Sequence, residues 1–133
     1  MRVLALLLLF ILAAPATAQR GGERVLRTER VTAAFAGWER GDYLWAHFLN
    51  RGGGRISAMV GEDPIGPFLE ANRGRPVTVT IATVRTTLPE AGPTTIRRVT
   101  GARNGAVTAQ AWRRRLTPGQ RRAAQLRFER AIP

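Results

Sequence analysis

The sequence predicts a mainly β protein, a small five-stranded Greek-key barrel in the order β-β-β-α-β-β followed by a C-terminal basic helix. Three observations carry this. Residues 31–60 (VTAAFAGWERGDYLWAHFLNRGGGRISAMV) write three alternating segments separated by two turns. Residues 61–74 (GEDPIGPFLEANRG) break the alternation with a Pro-started, Gly-stopped helical pattern. The run PVTVTIATVRTTL then alternates again over thirteen residues and changes phase part-way.

In the first strand Val31, Ala33 and Phe35 fall on one face and Ala34, Ala36 and Trp38 on the other. Glu39-Arg40-Gly41-Asp42 comes next as a turn in which Gly41 can take positive φ. The second strand sets Leu44, Ala46 and Phe48 against Tyr43, Trp45 and His47. A two-residue turn at Arg40-Gly41 would bring Phe35 opposite Ala46 and Trp38 opposite Tyr43. After Arg51-Gly52-Gly53-Gly54, Ile56, Ala58 and Val60 alternate with Arg55, Ser57 and Met59, and matching the faces pairs His47 with Ser57 and Trp45 with Met59. The three strands therefore share an aliphatic face for the core and an outer face collecting Trp38, Tyr43, Trp45 and His47.

Asp63-Pro64 or Gly66-Pro67 can start the helix and Gly74 stops it, leaving Ile65, Phe68 and Leu69 to plug an end of the sheet. In the fourth strand Val77, Val79 and Ile81 are in phase and Val84, Thr86 and Leu88 in the opposite phase, so a bulge or bend is expected near Ala82-Thr83. Pro89 to Pro93 turns the chain into a last strand from Thr94 to Ala102, ended by Arg103-Asn104-Gly105. Residues 106–115 fit either a strand or a helix. Thr117-Pro118 caps a helix running to about Arg130, with Ala124, Phe128 and Ala131 on one face.

This element order is that of an OB-fold, with FAGWERGDYLWAHF, the triple-glycine turn, the plug helix and the bent PVTVTIATV strand at the matching places. Over about residues 30–103 the chain resembles the small signal-peptide-bearing OB-fold proteins of bacteria. The resemblance implies that ligands meet the outer face of strands two and three and the loops joining strands one to two and four to five.

Outside the barrel, Arg2, the apolar run Val3–Ala14 and Ala16-Thr17-Ala18 compose a secretory signal peptide over 1–18, cleaved between Ala18 and Gln19. Export to the periplasm is the expectation, and the apolar run is shorter than the ~20 residues of a membrane span. Residues 19–30 (QRGGERVLRTER) read as a flexible lead-in, 31–103 as the barrel and 104–133 as the basic helical segment. The chain has no Cys, so the fold must rest on its core without disulfides. Charge is unevenly placed: residues 31–96 hold six Arg and six acids, whereas 97–133 hold ten Arg and one acid, Glu129.

The aromatic set Trp38, Tyr43, Trp45 and His47 is the candidate ligand-binding face, since aromatic rings can stack on bases, sugars or a partner's apolar side chains. The competing reading is a second small core, with Trp112, Leu116, Leu126 and Phe128 folding back to cover that face. Arg113, Arg114, Arg115, Arg121 and Arg122 are the candidate anion-binding residues, against the reading that they form only a solvated face. His47 and Ser57, the chain's one His and one Ser, meet on facing strands, but no G-x-S-x-G motif accompanies them, so His47 is read as a polar member of the aromatic face. With one His and no Cys, no metal and no cofactor are expected. The function expected is that of a monomeric, exported, non-catalytic binding module. Its outer strand face and Arg-rich tail would contact a protein or an anionic envelope component, with peripheral membrane contact included. A single-stranded nucleic-acid-binding domain is the alternative, disfavoured by the neutral barrel, and a Ser/His hydrolase the remote one.

Overall fold

A computed structural model describes residues 22–61 and 63–133; the expected signal peptide and its cleavage point lie outside the described residues. The elements are β1 (Arg24–Arg40), β2 (Leu44–Leu49), β3 (Arg55–Met59), α1 (Ile65–Ala71), β4 (Pro76–Leu88), β5 (Gly92–Asn104), β6 (Val107–Thr108), α2 (Ala109–Arg115) and α3 (Pro118–Ala131). The sheet runs β3-β2-β1-β4-β5-β6, and a parallel bridge from Met59 to Arg98 joins β3 to β5 and closes it into a ring. Five main strands, ring closure and a helix between β3 and β4 make this the expected OB-like barrel.

The ring encloses Phe35, Phe48, Val77, Val79 and Ile81, with Phe68 and Leu69 of α1 plugging one end. The phase change in β4 sits one residue earlier than the alternation suggests. Ile81 and Ala82 are both buried, the register with β5 shifts between Thr80 and Ile81, and residues after that point face a second apolar cluster.

Three expectations need correction. Arg24–Arg30 is not a flexible lead-in: it is the first half of β1, paired from Arg24 opposite Arg85 to Arg30 opposite Thr80. Its pattern is illegible because Val25 and Leu26 on either side of the strand are both exposed, leaving no buried face to impose a period. Ladder hydrogen bonds and the ion pairs Arg97–Glu29 and Arg98–Glu23, both at 2.8 Å, hold it instead.

The second correction concerns register. Arg40 pairs with Leu44 across a three-residue connection, and a bulge falls between Phe35 and Gly37, so Trp38 lies opposite Ala46 and Phe35 opposite Phe48. An extra residue in one strand swaps the faces of every residue beyond it. Trp38, only 8% exposed, therefore joins the core beside Phe35, at 4.6 Å between ring centroids. Its indole Nε1 donates to Glu70 Oε2 at 2.9 Å, which satisfies the one polar atom the burial would orphan. The β2–β3 register is as expected, with His47 opposite Ser57 and Trp45 opposite Met59.

The third concerns the C-terminal segment, which is not one basic helix but a short edge strand, β6, followed by two helices, α2 and α3. Residues 106–115 settle the open choice by doing both: Val107–Thr108 pair with β5, and Thr108 then caps α2 by accepting from the Ala111 N–H. A capping box starts α3, Thr117 Oγ1 accepting from Gln120 N at 3.2 Å while Thr117 N donates to Gln120 Oε1 at 2.8 Å. Phe128 then meets Trp38 edge-on at 5.1 Å and Trp112 meets Phe68 at 5.6 Å. The aromatic side chains of the tail thus seal the plugged end.

Candidate functional site

Two surfaces carry the candidate residues, one on the strands and one on the helices. On the strands, Tyr43, Trp45 and His47 do share the outer face, but Trp38 does not stand with them, because the bulge turns it into the core. Nor is the face covered by the C-terminal segment. The phase change in β4 turns Ala82 and Val84 toward Met59 and Ile96, and Tyr43, Trp45 and Leu88 pack against that cluster. The long β4–β5 hairpin thus lies along the outer face, leaving Tyr43 and Trp45 half-buried. At its tip Glu90 accepts from the Tyr43 hydroxyl, and this hydrogen bond, with burial and the negative charges of Glu90 and Asp42, raises the phenol above its ordinary range.

Beyond Trp45 the same face becomes polar. His47 Nδ1 lies 2.6 Å from Ser57 Oγ, and His47 Nε2 lies 2.8 Å from Glu39 Oε2, so three adjacent strands contribute one residue each to a carboxylate–imidazole–hydroxyl chain. An ionised carboxylate can only accept, so the proton shared with Glu39 sits on Nε2; in the neutral imidazole Nδ1 is then the acceptor and the Ser57 hydroxyl the donor. The His47 side chain is 12% exposed, and Glu39 reaches out to solvent at 67%. Sequence reasoning reaches His47 and Ser57 but assigns Glu39 only to a turn. A three-residue hairpin loop with a bulge before it would have placed Glu39 beside His47.

On the helices, α2 and α3 carry seven Arg against Glu129. Arg113 pairs with Asp63, and Arg121 Nε donates to the Arg113 carbonyl at 3.2 Å. Arg114, Arg115 and Arg122 have no carboxylate partner among the described residues. A cleft of about 410 Å³ opens between α1, α2 and α3, its apolar floor made by Pro67, Trp112 and Leu116 and its rim by Arg113, Arg121 and Arg122. Of the five predicted anion-binding arginines, Arg113, Arg121 and Arg122 stand around this cleft, whereas Arg115 lines a separate depression with Arg75 and Asn104.

Comparison with protein-family models, with curated proteins and with solved structures finds no match. Among the described residues no group of three His, Cys, Asp or Glu is gathered as a metal would need, and no helix is long and apolar enough to cross a membrane.

Proposed function

We propose that this chain is an exported, periplasmic binding module that attaches to an anionic component of the cell envelope through α2 and α3. One observation carries the reading: these helices hold seven Arg and one acid, and only Arg113 among those arginines is neutralised by a carboxylate among the described residues. Exposed guanidiniums with no internal partner set up a positive field that an anionic surface or polymer offsets. Residues 31–96 balance six Arg with six acids, so the field belongs to the helices. Export is supported by the n-, h- and c-regions of residues 1–18.

Sedimentation with lipid vesicles tests this. Binding is expected to vesicles containing phosphatidylglycerol and not to purely zwitterionic ones, and to weaken with salt. At ~1 kcal/mol per basic residue near an anionic surface, Arg114, Arg115 and Arg122 changed together to Gln should weaken it by about 100-fold. Equal binding to both vesicle types, or an unaffected triple variant, overturns the reading. A single-stranded oligonucleotide that bound more tightly than the vesicles and quenched Trp45 would favour the nucleic-acid alternative.

A further inference from the structure

The outer strand face holds a second site, independent of the helical cation surface. We propose that Ser57 is a nucleophile, activated by His47 and Glu39, and that it takes carboxylic esters with an apolar acyl group.

The first ground is the direction of the proton chain. Glu39 fixes the Nε2-H tautomer, so the free lone pair on Nδ1 points at the Ser57 hydroxyl from 2.6 Å. That is the arrangement in which an imidazole removes a hydroxyl proton while a carboxylate stabilises the resulting imidazolium. The usual nitrogen roles are exchanged, with Ser on Nδ1 and the carboxylate on Nε2, but the proton path is the same.

The second ground comes from the ladder. Val60 N donates to Leu44 O and Asn50 N to Gly54 O, which makes the even-numbered positions of β2 and β3 the hydrogen-bonded pairs. His47 and Ser57 are then a non-hydrogen-bonded pair, the type whose side chains approach most closely. The same alternation points the Ser57 N–H away from β2 toward β5, where the one bridge joins Met59 to Arg98, two residues further on.

The third ground is the neighbouring surface. Met59 is buried under the β4–β5 hairpin, but Trp45, two residues along β2 from His47, is only half-buried, so the part of its ring left uncovered offers an apolar contact beside the hydroxyl. An acyl chain lying on Trp45 would bring its ester carbonyl over Ser57.

In the reaction, Ser57 Oγ forms a bond to the ester carbonyl carbon and its proton passes to His47 Nδ1. The carbonyl–alkoxy bond breaks and the alcohol leaves with that proton. Water, deprotonated by the same imidazole, then releases the carboxylic acid and restores Ser57. No oxidant or further reactant enters.

The test uses the purified protein with a fluorophosphonate, which transfers phosphorus to Oγ with loss of fluoride, and with 4-nitrophenyl butyrate. A single phosphonyl adduct on the peptide containing Ser57 is expected, together with ester hydrolysis that Ser57→Ala abolishes. His47→Asn should slow both by ~100-fold or more, the low end of a general base's contribution. Glu39→Gln, a change at an exposed side chain, should slow both by about tenfold or more while thermal unfolding stays as in the parent. Absence of a Ser57 adduct, or labelling equally fast in His47→Asn, overturns the proposal and leaves the three residues as a polar trio that satisfies itself.

Discussion

Gly66 lies in α1 where the side chain of Phe128 comes down from α3. A Cβ built there would stand 2.5 Å from Phe128 Cζ and 2.7 Å from Cε2, distances no real contact tolerates. The ring cannot swing away freely, because it packs edge-to-face with Trp38 at 5.1 Å between ring centroids. Gly66→Ala therefore sets two effects against each other. Removing a helical glycine stabilises by up to ~1 kcal/mol, since alanine loses less backbone freedom on folding. Forcing a methyl into packed space costs ~1 to 3 kcal/mol. The second effect should win, giving a net loss of about 1 kcal/mol. Phe128→Ala, at a half-buried site, should itself cost about 2 kcal/mol, below the ~3 to 5 kcal/mol of a fully buried ring. In that background the obstruction is gone, and Gly66→Ala should change sign and stabilise. Urea unfolding of the four proteins, followed by tryptophan emission, measures the cycle, and a coupling of about 2 kcal/mol is expected. If Gly66→Ala stabilises the parent as much as it stabilises Phe128→Ala, α3 does not pack on α1 as described.

Removing residues 106–133 is expected to abolish cooperative unfolding, not merely to delete a tail, because it strips Ala109, Trp112, Phe128 and Ile132 from the core; circular dichroism melting checks this, and a truncated chain with a sharp transition near the parent's would refute it. Tyr43 is the chain's one tyrosine, so ultraviolet difference absorbance titrates it directly. Its midpoint should lie above the usual ~10 and fall back in Glu90→Gln, because the carboxylate that accepts from the phenol disfavours phenolate. The unfolded chain ionises first, so this contact's contribution to stability holds at neutral pH and is lost as pH rises past the ordinary tyrosine range. A midpoint unmoved by Glu90→Gln would show that the hairpin tip does not lie over Tyr43.

What can be read from the chain depends on whether burial imposes a pattern. The three segments of residues 31–60, the plug helix, the phase change in β4 and the Thr117 cap all announce themselves, since each has one face in the core or one donor to satisfy. Arg24–Arg30 does not, because a strand exposed on both sides is written in polar residues like any loop. Trp38 is misplaced by a single bulge residue, which leaves the composition of a strand untouched and exchanges its faces. At the outer face, the His47–Ser57 pairing is legible because the triple-glycine turn fixes its register. Glu39 is not, since its place beside His47 depends on the hairpin whose register slips. The arginines are visible as composition, but which of them Asp63 neutralises depends on how α2 sits against α1.

The closure of the ring also bears on when the fold can exist. The bridge between β3 and β5 spans from Met59 to Arg98, β1 reaches across to β4, and Phe128, the ring that seals the plug, belongs to α3. Contacts of such long sequence separation form late, after the costly closure of large loops. Neither the first three strands nor the first five hold a complete core, so nearly all of the chain must be free before any of it is stable. It would stay unfolded, and open to a chaperone or a protease, until α3 arrived.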